Sequence, residues 1–354
     1  MDLHESILIE ILVKLPLKSL ITCKLVCKSW HLLISDSTFG KAYNSVEPFK
    51  YSLFFNHKSL YLNETDPRKD DKTSSNLNLH LPTNENATLR MVGSCNGLCC
   101  FLLEPLGLFD EENIYIYNPL TCEYIEIRDR MKSVSRMSFG FGCGTCTNQY
   151  KVVRFLPQVD AQVLGSRIQG RVYTVGVDKR WREFKDPCIP HTTSDEHPVL
   201  LDGVLHWVGF EAGPESMMIY AFNVEEEKGK RMELPLALQS SKSQPFIGIL
   251  NGRLCALGQK RAYFRVWVLE DKGNVKSWTK NVLLRDSIPW YINWWNPGFV
   301  CNLATSQHGR KEKMVFTSIG RSKYDSCHDL PYVPCFSSLN ILFRGARNVI
   351  QLKF

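Results

Sequence analysis

The sequence predicts a small α-helical module followed by an all-β domain, a β-propeller of about six irregular blades. Three observations carry that prediction. Helical apolar spacing is confined to residues 1–45, and short alternating strands follow it. A turn-plus-strand unit then recurs roughly every 50 residues.

The helical module comes first. Asp2 and Glu5 have the spacing of a capping box. Leu3, Ile7, Leu8, Ile11, Leu12 and Leu15 then recur at intervals of three and four, one apolar stripe of an α-helix. Ile9 and Val13 form a second stripe, whereas a surface helix needs only one. Pro16 stops this helix, because it lacks an N–H and restricts Leu15. A second helix begins near Ser19 and carries Leu20, Ile21, Cys23, Leu25, Val26 and Cys27. Trp30, Leu33 and Ile34 make a third helical face that closes near Phe39. A module of this length cannot bury so many large side chains by itself. It packs either on a partner or on the domain that follows.

From residue 46 to 354 the pattern is β. Asn63 to Asn78 is polar and reads as an exposed loop or disorder. Asn96-Gly97, Asp202-Gly203 and Asn251-Gly252, each between apolar runs, are hairpin signals. Weaker copies at Asn148 and Asn302 complete a series with steps of about 50 residues, the blade length of kelch-type propellers. Second strands follow in phase at 114–117, 172–175, 218–222, 266–268 and 339–343. Third strands follow at 123–127, 181–184, 231–234, 278–282 and 348–352. Strands around Tyr51–Phe55 and Leu79–Met91 are expected to form a further blade. An irregular β-sandwich pair is the structural alternative.

Composition narrows the function classes. Of 354 residues, 44% are hydrophobic and 11% aromatic, ordinary for a packed globular protein. No apolar run reaches the roughly eighteen residues of a membrane span. The start lacks a basic, apolar leader, and the 13 cysteines are scattered through apolar segments. These features predict reduced thiols in a cytoplasmic or nuclear protein. The net charge of +7 is modest, and the short basic stretches at Lys260-Arg261 and Arg310–Lys313 lack aromatic interleaving, so no nucleic-acid partner is expected.

Two resemblances add a function. Ile9-Glu10-Ile11-Leu12, Leu15-Pro16-Leu17-Lys18-Ser19-Leu20, Lys24-Leu25-Val26-Cys27-Lys28-Ser29-Trp30, Leu33-Ile34 and Phe39 resemble the plant F-box without a gap. The family usually begins with Leu-Pro, where this chain has Leu3-His4. The resemblance implies a three-helix peg for a Skp-family adaptor, which links the chain to a cullin–RING ubiquitin ligase. It implies adaptor anchors at Leu3, Leu15, Pro16, Leu20, Val26 and Trp30.

Gly93-Ser94-Cys95-Asn96-Gly97-Leu98, Asn118-Pro119-Leu120-Thr121, Phe139-Gly140-Phe141-Gly142, Tyr150-Lys151-Val152-Val153, Leu205-His206-Trp207 and Ser277-Trp278-Thr279-Lys280 resemble the plant F-box-associated interaction domain. The Gly-Gly doublet of true kelch repeats is absent. This second resemblance implies a surface that binds a target protein. Trp290, Trp294 and Trp295, with Tyr291, are candidates for it, although aromatic core packing is the alternative.

Catalytic readings are weaker. Cys143-x-x-Cys146 lacks the second pair of a zinc site. His206 lies beside Trp207 in a strand with no nucleophile motif. Gly140-x-Gly142-x-Gly144 precedes a strand, not the helix of a dinucleotide fingerprint. No metal or cofactor is expected. The leading expectation is a non-catalytic, substrate-recognition subunit of an SCF-type ligase. The alternatives are a propeller-pocket enzyme such as a hydrolase, and a diverged F-box protein with weak adaptor binding.

Overall fold

The structure is a computed structural model. It describes residues 5–46, 51–56, 59–64, 73–75, 87–105, 111–132, 138–158, 167–184, 186, 189, 198–210, 217–239, 245–250, 252–260, 263–271, 277–283, 299–304, 311–316, 327–332, 334–343 and 349–351. The chain divides into two compact units. The first contains residues 1–54, 58–132 and 331–354, the second 55–57 and 133–330.

The first unit opens with four helices: α1 (Glu5–Leu12), α2 (Leu17–Cys23), α3 (Lys28–Ser35) and α4 (Ser37–Val46). Pro16 sits in extended backbone at the head of α2, where its missing N–H costs nothing. Asp36 breaks α3 from α4, and its carboxylate accepts from the Thr38 N–H at 2.7 Å and from the Thr38 hydroxyl. Those bonds hold the Asp36 carboxyl below its usual range. The predicted third helix is therefore two helices, because an Asp two residues before a Thr caps a new start. Leu12, Leu17, Leu20, Ile34, Phe39 and Tyr43 are the buried apolar side chains of these helices.

Strands β1 (Tyr51–Asn56), β2 (Ser59–Glu64) and β3 (Thr73–Ser75) follow, with β2 between the other two. A second sheet begins with β4 (Ala87–Cys95), β5 (Leu98–Pro105), β6 (Glu111–Asn118) and β7 (Glu123–Lys132). Asn96 and Gly97 both have positive φ, 47° and 80°, the geometry of the tight hairpin turn that Asn-Gly favours. That turn folds β4 directly onto β5. Met91 therefore belongs to this sheet, not to a blade with Tyr51–Phe55.

In the second unit, β8 (Ser138–Cys143), β9 (Tyr150–Gln158), β10 (Arg167–Thr174) and β11 (Arg182–Phe184) form a four-stranded meander. β12 (Val199–Leu201), β13 (Val204–Phe210), β14 (Met217–Asn223) and β15 (Lys228–Glu233) form the next. The short helix α5 (Leu236–Gln239) leads to β16 (Phe246–Leu250), β17 (Arg253–Lys260), β18 (Tyr263–Leu269), β19 (Trp278–Leu283), β20 (Phe299–Ala304) and β21 (Lys311–Phe316). These six strands make one sheet in the order β19-β18-β17-β16-β21-β20.

The core lies between successive sheets. Val153, Phe155 and Val172 of one meander pack with Leu205, Trp207, Tyr220 and Phe222 of the next. Val199, Val208, Ile219 and Met232 then pack with Ile247, Leu254 and Trp267 of the third. Strands buried on both faces by neighbouring sheets explain why β13 and β14 read as nearly continuous apolar runs.

The last elements are β22 (Cys327–Tyr332), α6 (Leu339–Leu342) and β23 (Val349–Gln351). β23 returns to the first unit and pairs with β7, giving the order β23-β7-β6-β5-β4. The repeat holds in phase as far as β19 and then departs. Asn302 is inside β20 rather than in a turn. Residues 339–342, expected as a strand, form a helix because the Ser338 hydroxyl accepts from the Asn340 N–H and caps it. β20 and β21 extend the sheet of β16 through the β16–β21 pairing, so the described strands form five sheets.

Candidate partner interface on the helical module

The helices bury Leu12, Leu17, Leu20, Ile34, Phe39 and Tyr43 and leave other large aliphatic side chains exposed. After α2, Leu25 and Val26 sit in a turn closed by Leu25 N–H to Thr22 O at 3.0 Å and Val26 N–H to Cys23 O at 3.2 Å. The turn satisfies its own backbone and turns both side chains outward: Leu25 is 82% exposed and Val26 63%. Leu32 on α3 is 70% exposed, while Ile34, two residues on, is fully buried. On α1, Ile7 and Ile11 are each 49% exposed and lie four residues apart on one face, with Leu12 turned into the core.

Five large aliphatic side chains in so short a stretch exceed scattered surface hydrophobicity. Fully burying a side chain of this kind stabilises by about 1.5–3 kcal/mol relative to exposure. The set therefore holds several kcal/mol of unrealised burial.

The six predicted anchors are distributed differently. Leu20 is fully buried inside the module. Val26 is exposed, as is Pro16, while Leu15 and Trp30 are half-buried. Leu3 lies outside the described residues, as does His4. The sequence did not single out Ile7, Ile11, Leu25 and Leu32 as anchors. A detectable signal existed at Leu25-Val26, two aliphatics immediately after a helix with Lys24 and Lys28 on either side. Trp290, Trp294 and Trp295 also lie outside the described residues.

His206 is buried in β13 with Nδ1 3.2 Å from Val199 O, and burial lowers its pKa to about 4. Cys143 is buried, while Cys146 is exposed. Among the described residues, no group of three His, Cys, Asp or Glu side chains is placed to hold a metal ion. An ionic cluster among the described residues joins two sheets of the second unit. Glu227 accepts from Lys151 Nζ at 2.8 Å and from both terminal nitrogens of Arg182 at 2.7 and 2.8 Å. The Arg182 bonds, aided by Lys151, hold the Glu227 carboxyl down at about 2. Glu225 accepts the Cys146 and Thr147 N–H groups at 3.2 Å each. These bonds tie the β14–β15 turn to β9, β11 and the loop at Cys146-Thr147.

Two family profiles match the chain. The F-box domain profile matches residues 1–42, and the profile of the F-box associated beta propeller domain matches residues 51–321. An F-box/kelch-repeat protein of Arabidopsis thaliana is 24% identical over 306 residues, covering 77% of this chain and 76% of its own length. Another F-box protein of the same plant is 24% identical over 293 residues, covering 78% and 70%. Among solved structures, a prolyl endopeptidase superposes with a TM-score of 0.40 at 12% identity, over 88% of this chain and 46% of its own. That likeness is too low to relate the two activities. The F-box match and the β-propeller match, the latter spanning most of the chain, place it together: it belongs to the F-box protein family with an F-box-associated β-propeller domain.

Proposed function

We propose that this protein is the target-recognition subunit of an SCF-type cullin–RING ubiquitin ligase. Residues 1–45 dock a Skp-family adaptor, and residues 46–354 hold a target protein. The chain itself does no chemistry. It raises the effective concentration of target lysines beside the ligase's charged conjugating enzyme. One observation carries the reading: an F-box whose Ile7, Ile11, Leu25, Val26 and Leu32 are exposed in the free chain. An adaptor groove would bury them, as aliphatic anchors are buried in helix-mediated interfaces. Cys95, Cys99, Cys100, Cys143 and Cys255 are buried free thiols, which supports a reducing compartment, cytosol or nucleus.

Co-expression with a Skp-family adaptor tests the proposal. The intact chain should recover the adaptor in equal amount, and Leu32→Asp should lose it while the β sheets stay folded. Failure of the intact chain to recover the adaptor would overturn it.

A further inference from the structure

Residues 334–343 lie about 300 positions from the helices, yet they bond to both the helices and the β6–β7 hairpin. Toward the helices, Lys24 Nζ donates to Phe336 O at 2.9 Å, and Asn44 Nδ2 donates to Pro334 O at 3.2 Å. The Ser337 hydroxyl donates to Ser35 O at 2.8 Å, at the last turn of α3. The buried Phe336 ring meets Phe39 and Tyr43 edge-on, with centroids 5.8 and 5.4 Å away.

Toward the hairpin, Asn118 Nδ2 donates to both Cys335 O at 3.2 Å and Ser337 O at 2.9 Å. The Glu123 carboxylate accepts from the Ser338 hydroxyl at 2.7 Å and from the Leu339 N–H at 2.6 Å. Asn118 and Glu123 are both buried. Groups buried this deeply cost free energy unless bonded, so the segment is required by the residues it touches.

The hairpin turn has a counterpart in the second unit. Asn118 Oδ1 accepts from Leu120 N–H, and Cys122 at φ 56° closes the turn onto Asn118 O. Likewise Asn223 Oδ1 accepts from Glu225 N–H, and Glu227 at φ 55° closes onto Asn223 O. At the second turn the acidic residue holds Lys151 and Arg182 of the neighbouring sheet. At the first turn, Asn118 and Glu123 instead hold Cys335, Ser337, Ser338 and Leu339. One turn joins sheet to sheet, and the other joins its sheet to the segment that meets the helices.

We infer that residues 334–343 are a tie that holds the helical module against the first large β sheet and couples their stabilities. Its use in the ligase rests on the function proposed above: the tie would fix the direction in which the docked F-box presents the sheet. The tie itself can be tested without any adaptor.

Amide hydrogen exchange on the free full-length chain reads it. Asn118→Asp keeps the oxygen that caps the turn but replaces the donor to Cys335 and Ser337 with a repelling oxygen. It touches no helix residue. The expected result is exchange at least ten-fold faster in α3 and α4, with β13 and β14 unchanged. A second variant, Lys24→Met with Asn44→Leu, cuts two bonds from the helical side and keeps the apolar stems packed. It should speed exchange at the Asn118 turn and in α6 by a similar factor. Unchanged α3–α4 exchange in Asn118→Asp overturns the tie, as does a uniform acceleration that includes β13 and β14. If Asn118→Asp does not fold, the second variant decides alone: unchanged exchange at the Asn118 turn overturns the tie. Loss of adaptor binding by the intact chain would overturn the ligase reading and leave these exchange results standing.

Discussion

Gly140→Ala should destabilise the second unit, and Trp207→Phe should rescue part of the loss. Gly140 lies on β8 and the fully buried Trp207 on β13 of the adjoining sheet. A Cβ at residue 140 would stand 2.5 Å from Trp207 Cζ2, 3.0 Å from Cη2 and 3.1 Å from Leu205 Cδ1. The indole cannot move aside easily, because Phe155 packs on it at 4.9 Å and Tyr220 at 6.2 Å between ring centroids. Overpacking a well-filled core costs about 1–3 kcal/mol, and an obstacle this close belongs near the upper end. Phe at 207 removes the offending ring atoms, so the two substitutions should couple by about 1–2 kcal/mol in a double-mutant cycle. Urea unfolding followed by circular dichroism measures all four proteins. Gly140→Ala within 0.5 kcal/mol of the parent, or costs that simply add, would refute the argument that a missing side chain at 140 makes room for the indole.

Three further outcomes follow from the same structure. His206 is held near pKa 4 against 6.5 when free, so the unfolded chain takes up its proton first. The stability it preserves is complete above about pH 6.5 and falls as pH drops toward 4, by at most about 1.4 kcal/mol per pH unit; His206→Gln should flatten that slope in urea titrations. Glu227, held at about 2, contributes stability above 4.5 that is lost as pH falls through 2. Glu227→Gln should cost about 1–2 kcal/mol at pH 7, since it leaves the buried Lys151 ammonium poorly paired. Asn148 has φ 54°, so Asn148→Val should cost about 1–2 kcal/mol while Asn148→Gly is nearly neutral, read as urea midpoints.

The motifs that the sequence displays meet in space for physical reasons. Phe139-Gly140-Phe141 and Leu205-His206-Trp207 are two halves of one packing contact. Asn96-Gly97 and Asp202-Gly203 are legible because only a few residue types accept two successive positive φ angles. Leu339–Leu342 misleads because a four-residue segment is too short to show a period, and the Ser338 cap decides it. α4 is hidden because its sequence, with Gly40 and several small polar residues, has weak helical preference. It is held instead by Phe39 and Tyr43 packing on Phe336. That same contact is invisible to any local reading, since its partners are nearly 300 residues apart. At the interface, the apolar residue types are legible. Which of them point outward is not, since Leu20 and Leu25 have the same chemistry and opposite burial.

Calorimetric titration of a purified Skp-family adaptor into the full-length chain tests the central claim most directly. Sub-micromolar binding at one-to-one stoichiometry is predicted, weakened at least 100-fold by Leu25→Asp with Val26→Asp. Absence of binding by the intact chain, or equal affinity in that double variant, would contradict it.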